Sequence, residues 1–283
     1  DMHWITHILF LSRFHAGHGC GHNYRRVSGR LAEFSIIPGH QAAKRLCLCF
    51  MHALPAVHLR LLWLLSAWLL IAPLQADEQS VRPGINRHYE NPDWQQWVAT
   101  FESPGRELYD RRHDVVRATG VRPGMSVADI GAGTGLYTRL FAKRVAPAGE
   151  VFAVDISETF VQNILRTCRE QGLTNVQGIV NPPRELPLPK RSIDLAFVAA
   201  TYHHFEYPRE MLGTIHRALR DDGRLVIIDF RRDPRISSRW VMGHVRSNRR
   251  GVIREVESSG FRLVADEPLL RTNYFLAFEK TGG

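Results

Sequence analysis

Little in this chain points to a covalent scaffold. Of its four cysteines, Cys20, Cys47 and Cys49 fall in the first fifty residues and only Cys168 lies beyond. The main part therefore has no disulfide framework, and Cys168, among apolar neighbours at helical spacing, reads as a buried thiol. The apolar run Leu61 to Ala72 has twelve residues and is broken by Ser66, short of the ~20 that a membrane span needs. No internal repeat or low-complexity tract occurs. Beyond residue 77 no metal-ligand spacing and no covalent nucleophile stands out. Excess positive charge is thin as well: the net charge is +9, residues 1–76 carry +5 of it, and only +4 remains for the rest. That excludes the basic footprint of a nucleic-acid binder. The later arginines also lack the interleaved aromatics that single-stranded nucleic acid requires.

What is present fits a globular chain of one or two domains: 44% hydrophobic and 23% charged over 283 residues. Residues 1–50 show no sustained period and begin with Asp. Their His15, His18, Cys20 and His22 could be read as metal ligands, but the expectation is a non-native or disordered extension, with translation starting at Met51. From there His58 and Arg60, the run to Ala72, Pro73 and Leu74-Gln75-Ala76 form the pattern of a signal peptide. An uncleaved anchor, holding the protein at a membrane, is the alternative. The chain would then be exported or periplasmic, and otherwise cytoplasmic. Asp77 to about Gly84 reads as a polar linker. Residues 77–114 are rich in aromatics (Tyr89, Trp94, Trp97, Phe101, Tyr109) and read as a helical cap of one or two helices. Core packing is expected for the two Trp, and a ligand-covering role is open for Phe101, Arg106 or Tyr109.

Residues 115–283 alternate strands and helices. Apolar strands are expected at Val127–Ile130, Val151–Asp155, Val176–Val180, Ile193–Ala200, Leu225–Phe230, Phe261–Val264 and Tyr274–Phe278. Amphipathic helices lie between the first five: from Leu136, through Phe160, Val161, Ile164, Leu165 and Cys168, and through Met211, Leu212, Ile215 and Leu219, closed by Asp221-Asp222-Gly223. A last helix runs through Ile253 and Val256. Continuous apolar strands alternating with helices predict a doubly covered parallel sheet. The final two strands are about ten residues apart, too close for a parallel crossover, so that pair is predicted antiparallel. In such sheets ligands sit at the carboxyl ends of the strands. Gly131–Gly135, Asp155, the turn after Val180 and Thr201–His204 all fall there.

The stretch Asp129-Ile-Gly-Ala-Gly-Thr-Gly135 joins a strand to a helix through three alternate glycines. Taken with Val154-Asp155-Ile156-Ser157, the segment from Leu186-Pro-Leu-Pro to Asp194-Leu, and Leu219-Arg-Asp-Asp-Gly223, it resembles the class I S-adenosylmethionine-dependent methyltransferases over residues 115–283. The resemblance implies a Rossmann-like α/β fold with a seven-stranded, mostly parallel sheet, an antiparallel last strand and helices on both faces. It also implies S-adenosyl-L-methionine as cofactor. Asp129 would hold the ammonium end, Gly131, Ala132, Gly133 and Gly135 would approach the amino-acid part, Asp155 would accept from both ribose hydroxyls, and Ile156 would pack on the adenine. One stretch departs from the pattern. Asn181-Pro182-Pro183-Arg184-Glu185 stands where many members have an acid followed by a backbone N–H. Proline has no N–H, so adenine recognition either passes to Asn181 or to a shifted loop, or is weaker.

The implied activity is in-line methyl transfer to a small-molecule acceptor. Tyr202, His203 and His204 follow strand four and are the candidate catalytic residues, with one histidine as base; the plain alternative is that they only line or pack the pocket. The arginines Arg231, Arg232, Arg235, Arg239, Arg246, Arg249 and Arg250 suit an acidic substrate or an anionic membrane surface, or simply a solvated basic face. Two further readings stay open: a weakly active or inactive cofactor-binding relative, motivated by the proline pair and the signal peptide, and a nicotinamide dehydrogenase, disfavoured by the antiparallel ending.

Overall fold

The structure is a computed structural model and describes residues 77–282. The extension 1–50 with its His/Cys cluster and the signal segment 51–76 lie outside the described residues.

A seven-stranded sheet forms the centre. Its strands are β1 (Ser126–Ile130), β2 (Glu150–Asp155), β3 (Val176–Val180), β4 (Ile193–Ala199), β5 (Leu219–Phe230), β6 (Phe261–Glu267) and β7 (Asn273–Lys280). The order is β3-β2-β1-β4-β5-β7-β6. Pairings from β3 through β5 are parallel, and β7 runs antiparallel to both β5 and β6. The chain reverses its direction of travel across the sheet between β1 and β4, which opens a crevice at their carboxyl ends. An antiparallel β7 between β5 and β6 also removes the plain dinucleotide-binding topology of a nicotinamide dehydrogenase.

The alternation of side chains along each strand explains the layers. Ala128, Ile130, Phe152, Val154, Ala196 and Val198 face one side, covered by α6 (Pro208–Ala218) and α8 (Arg249–Glu257) through Met211, Leu212, Ile215, Val252 and Val256. Val127, Val151, Leu195, Phe197 and Ile228 face the other, against α3 (Arg112–Ala118) and α4 (Leu136–Val145). Phe197 is fully buried and meets Tyr137 and Phe141 at ring-centroid distances of 4.8 and 4.9 Å. Helix α5 (Glu158–Glu170) buries Phe160, Val161, Ile164 and Cys168 on one stripe, and Ser157 caps it by accepting from the Phe160 N–H. The thiol expectation for Cys168 agrees with its burial.

Three sequence expectations change. Asp221-Asp222-Gly223 does not close α6: β5 begins at Leu219, opposite Ile193, and the register shifts before Leu195 meets Arg224. The acidic triplet bulges from the strand because Asp221 reaches Arg191 and Arg220 turns to Asp194. The segment from Asp77 is not a free linker. Glu78 accepts from the Arg209 and Glu210 N–H groups at 3.1 and 2.8 Å, Ser80 donates to Glu206, and Arg82 donates to the Gly243 and His244 carbonyls. The cap holds three short helices, α1 (Trp94–Phe101), α2 (Glu107–Asp110) and α3, after a 3-10 turn at Arg87–Tyr89. Trp94 packs as expected, against the Ala153, Ile164 and Cys168 cluster and edge-on to Phe160, but Trp97 does not: it lies on the cavity wall between Tyr89 and Phe101, each 4.9 Å away.

Candidate active site

At the carboxyl ends of β1, β2 and β4 lies a cavity of about 570 Å³. One wall is the glycine turn Gly131–Thr134, with Asp129 beneath it. One end holds Asp155, Ile156, Asn181 and Pro183; the other holds His203, His204, Phe230 and Trp240. Tyr89, Trp97, Phe101, Arg106 and Leu108 of the cap roof it.

The glycine turn is shaped by contact. Gly131 has a φ of 69°, and a Cβ there would drive into the Thr201 side chain, whose hydroxyl donates to the Gly131 carbonyl at 3.2 Å. The turns after β1 and β4 therefore touch. Gly133 donates its N–H to Asp155 at 2.8 Å, and Ser157 donates to the other oxygen at 2.9 Å. A carboxylate offers about four acceptor positions, so the backbone bonds leave acceptor capacity for a ligand. Burial drives the Asp155 carboxyl up to about 6 against these backbone bonds. Asp129 is also buried, and burial pushes it up to about 7 although the Thr138 hydroxyl donates to it at 2.6 Å. Two buried carboxyls on either side of a glycine turn leave the cavity in want of positive charge and donors.

Arg106 is the cation on the roof. Among the described residues its guanidinium donates only to the Phe101 carbonyl, at 3.0 Å, while lying 4.9 Å over that ring. Burial lowers its pKa. Its remaining donors are free for an anionic group. Asn181 donates its amide N–H to the Pro182 and Glu185 carbonyls. This pins the proline loop and leaves the amide oxygen as the unused acceptor on that part of the wall.

At the far end, the 3-10 turn Tyr202–His204 follows Ala200, a non-glycine at φ 53°. The Asp229 carboxylate accepts from the His203 backbone N–H at 2.9 Å and meets His203 Nδ1 at 2.8 Å. Asp229 is 1% exposed and His203 3%. A carboxylate facing Nδ1 places the proton there and leaves Nε2 as the free lone pair. His204 is fixed the same way. The Asn86 amide donates to the His204 carbonyl, which orients that amide so that its oxygen faces His204 Nδ1 at 3.1 Å. Burial first, then the neighbouring His203, His244 and Arg82, lower His204 to about 2. It is a neutral imidazole. His244, on α7 (Arg239–His244), brings Nε2 to 3.4 Å from His204 Nε2 and stacks on Trp240 at 4.3 Å.

The cavity thus gathers Asp129, Gly131, Ala132, Gly133, Asp155, Ile156, Asn181, His203 and His204 of the expected set. Two expected residues are not on its wall. Tyr202 turns into the core, 1% exposed, and its hydroxyl donates to Glu255 at 2.9 Å; the tight turn sends residue 202 to the opposite side from 203 and 204. Gly135 caps α4 at φ 73°, and a Cβ there would meet Ile164 at 2.8 Å, so it serves helix packing. The sequence reading missed Asp229, Asn86 and His244. The acid in Ile228-Asp229-Phe230 at the end of an apolar strand was a usable signal for the first; the other two had none. The arginine run is largely spent on internal partners: Arg231 on the Asn273 carbonyl, Arg235 on Asp233, Arg246 on Glu255 and Arg249 on Asp266. Among the described residues no helix is long and apolar enough to cross a membrane.

Comparison with known proteins agrees with this geometry. Residues 128–227 match a family model described as a methyltransferase domain. The ubiquinone/menaquinone biosynthesis C-methyltransferase of Ectopseudomonas mendocina (strain ymp) is 33% identical over 116 residues, 41% of this chain and 45% of that protein. The corresponding protein of Bordetella parapertussis is 35% identical over 112 residues, 40% and 43% of the two chains. The chain therefore spans under half the length of the curated relatives it matches. A SAM-dependent methyltransferase from Aquifex aeolicus superposes with a TM-score of 0.61 at 25% identity, over 68% of this chain and 100% of that one. A Burkholderia thailandensis N1-methyltransferase, solved with 1,6-didemethyltoxoflavin and S-adenosylhomocysteine, shares the fold at a TM-score of 0.50 and 21% identity, covering 81% and 92%. Fold and glycine-turn site together define a class I methyltransferase domain. Residues 128–227 match a methyltransferase domain, and the likeness to S-adenosylmethionine-dependent methyltransferases supports S-adenosylmethionine as the cofactor.

Proposed function

We propose that the protein transfers a methyl group from S-adenosylmethionine to a small-molecule acceptor held at the histidine end of the cavity. One observation carries this reading: two buried carboxyls, Asp129 and Asp155, flank the glycine turn in the same cavity that reaches His203 and His204. The cofactor supplies an electrophilic methyl on a sulfonium. Asp129 would hold its ammonium and Arg106 its carboxylate. The remaining acceptor capacity of Asp155 would meet the ribose hydroxyls. Ile156 and Pro183 would pack on the adenine, and the Asn181 amide oxygen would accept from its amino group. This division answers the missing N–H of the proline loop and argues against the inactive alternative.

In-line displacement asks the protein chiefly to align the partners and exclude water. The aromatic roof and the strap from Asp77 to Asn86 supply that enclosure. His203, oriented by Asp229, and His204, oriented by Asn86, present Nε2 lone pairs to the acceptor's heteroatom. Walls of Tyr89, Phe230 and Trp240 favour an acceptor with an apolar or flat face. Export through residues 51–76 belongs to the same proposal, and cell fractionation tests it: protein confined to the cytoplasm would remove it.

The function is tested by calorimetry with S-adenosylmethionine and by release of S-adenosylhomocysteine across a metabolite panel. Tight cofactor binding with no acceptor-dependent release would leave a binding protein. His203→Ala should lower turnover by about 10²-fold or more with cofactor affinity within a few-fold; equal losses in both would remove His203 from the acceptor side.

A further inference from the structure

Three imidazoles meet at the acceptor end, and methyl transfer needs at most one base. One ring nitrogen from each of His203, His204 and His244 lies within 4.8 Å of the others, and the His204 and His244 Nε2 atoms are 3.4 Å apart. The ring centroids form a near-regular triangle with sides of 4.3, 5.1 and 5.2 Å. Two facing nitrogens at that distance make a poor hydrogen bond. The separation matches the edge of a tetrahedron around zinc, about 3.4 Å for a metal–nitrogen bond of about 2.05 Å.

We propose that His203, His204 and His244 form a binding site for a divalent transition metal of the zinc class, with a fourth position open to the cavity. The proposal rests on the reading of this end as the acceptor's. Three features support it beyond proximity. The partners behind two of the imidazoles are those of metal-bound histidines: a carboxylate on His203 Nδ1 and an amide oxygen on His204 Nδ1, each leaving Nε2 for the ion. Asp229 is buried, and its partners among the described residues are His203 and two backbone N–H groups, with no arginine or lysine. A carboxylate so placed is costly to bury without a cation nearby, and an ion on His203 supplies one. Arg82 acts in the opposite sense, because it grips the Gly243 and His244 carbonyls. That contact also holds the third ligand in position. Third, the ligand donors are all imidazole, a set suited to zinc, copper, iron or nickel and not to magnesium or calcium.

The site would fix the acceptor class. Three histidines and an open position accept a thiol, hydroxyl or amine as the fourth ligand. An imidazole that holds the ion does not also take a proton, so in the loaded protein a thiol or hydroxyl would bind as its anion, the proton passing to solvent, and an amine would bind through its neutral lone pair.

The test uses the full chain, stripped with a chelator and titrated with Co²⁺. One ion per chain with the intense visible absorption of four-coordinate cobalt is expected. His244→Ala should weaken binding by about 100-fold or more, and Asp229→Asn by about 10–100-fold. S-adenosylmethionine affinity, measured on each variant, reports that the fold survives. No stoichiometric cobalt binding, or binding unchanged by His244→Ala in a variant that still takes up the cofactor, overturns the proposal. Cobalt binding without cofactor binding would instead strike the methyltransferase reading and leave the metal site standing.

Discussion

In the proposed cofactor site, Asp129 would set the pH behaviour of binding. Its carboxyl sits at about 7 and must be ionised to pair with an ammonium group. Burial raises it, so the folded protein without ligand binds this proton more tightly than the unfolded chain does. The stability it lends is therefore full below its ordinary range and fades as pH rises through about 7. Cofactor binding runs the other way. Affinity for S-adenosylmethionine should fall as pH drops below about 7, and binding near that pH should release a proton, seen as a calorimetric enthalpy that depends on the buffer. Buffer-independent enthalpy and flat affinity would show that Asp129 is ionised without the ligand. Its position on the cavity wall was legible in the sequence from its place before the glycine turn. Asp229 was only half legible, since an acid ending β5 has no assigned partner until the fold lays β5 beside the turn that carries His203.

Among the described α-helices, α2 is the shortest and one of the most heavily used. Glu107 at its start accepts from the Arg271, Thr272 and Asn273 backbone N–H groups and from the Thr272 and Asn273 side chains. Burial would raise this carboxyl, but those donors outweigh it and hold it below the usual range. It staples the cap to the start of β7, the one strand that runs against the rest. Glu107→Ala should lower stability by about 2 kcal/mol, read as a lower denaturant midpoint at unchanged slope. The contribution is present above the ordinary carboxylate range and lost as pH falls through the folded value. The sheet itself was readable because apolar strands and helical stripes differ in period. The cap was not. Its helices are four to eight residues long and their contacts are polar or aromatic, so no period forms, and Trp97 was assigned to a core when it faces a ligand cavity. The Asp221-Asp222-Gly223 bulge misled for a related reason: turn chemistry there interrupts a strand and does not end a helix.

At the scale of the molecule, the described residues 77–282 fall in one compact unit that contains every residue assigned to the cavity. A chain beginning at Asp77 should bind S-adenosylmethionine within a few-fold of the full protein. One beginning at Glu90 should lose the histidine end, because Arg82, Asn86 and Tyr89 go with it; equal affinity and equal acceptor turnover for both would refute that division. The strap from Glu78 to Asn86 has a kinetic consequence. It fastens across α6, α7 and the His203–His204 turn, and Asn86 stands on the cavity wall. A ligand route through that end would require several of those bonds to part together, a motion in the microsecond-to-millisecond class. The ceiling on turnover would then be set by how often the strap lets go.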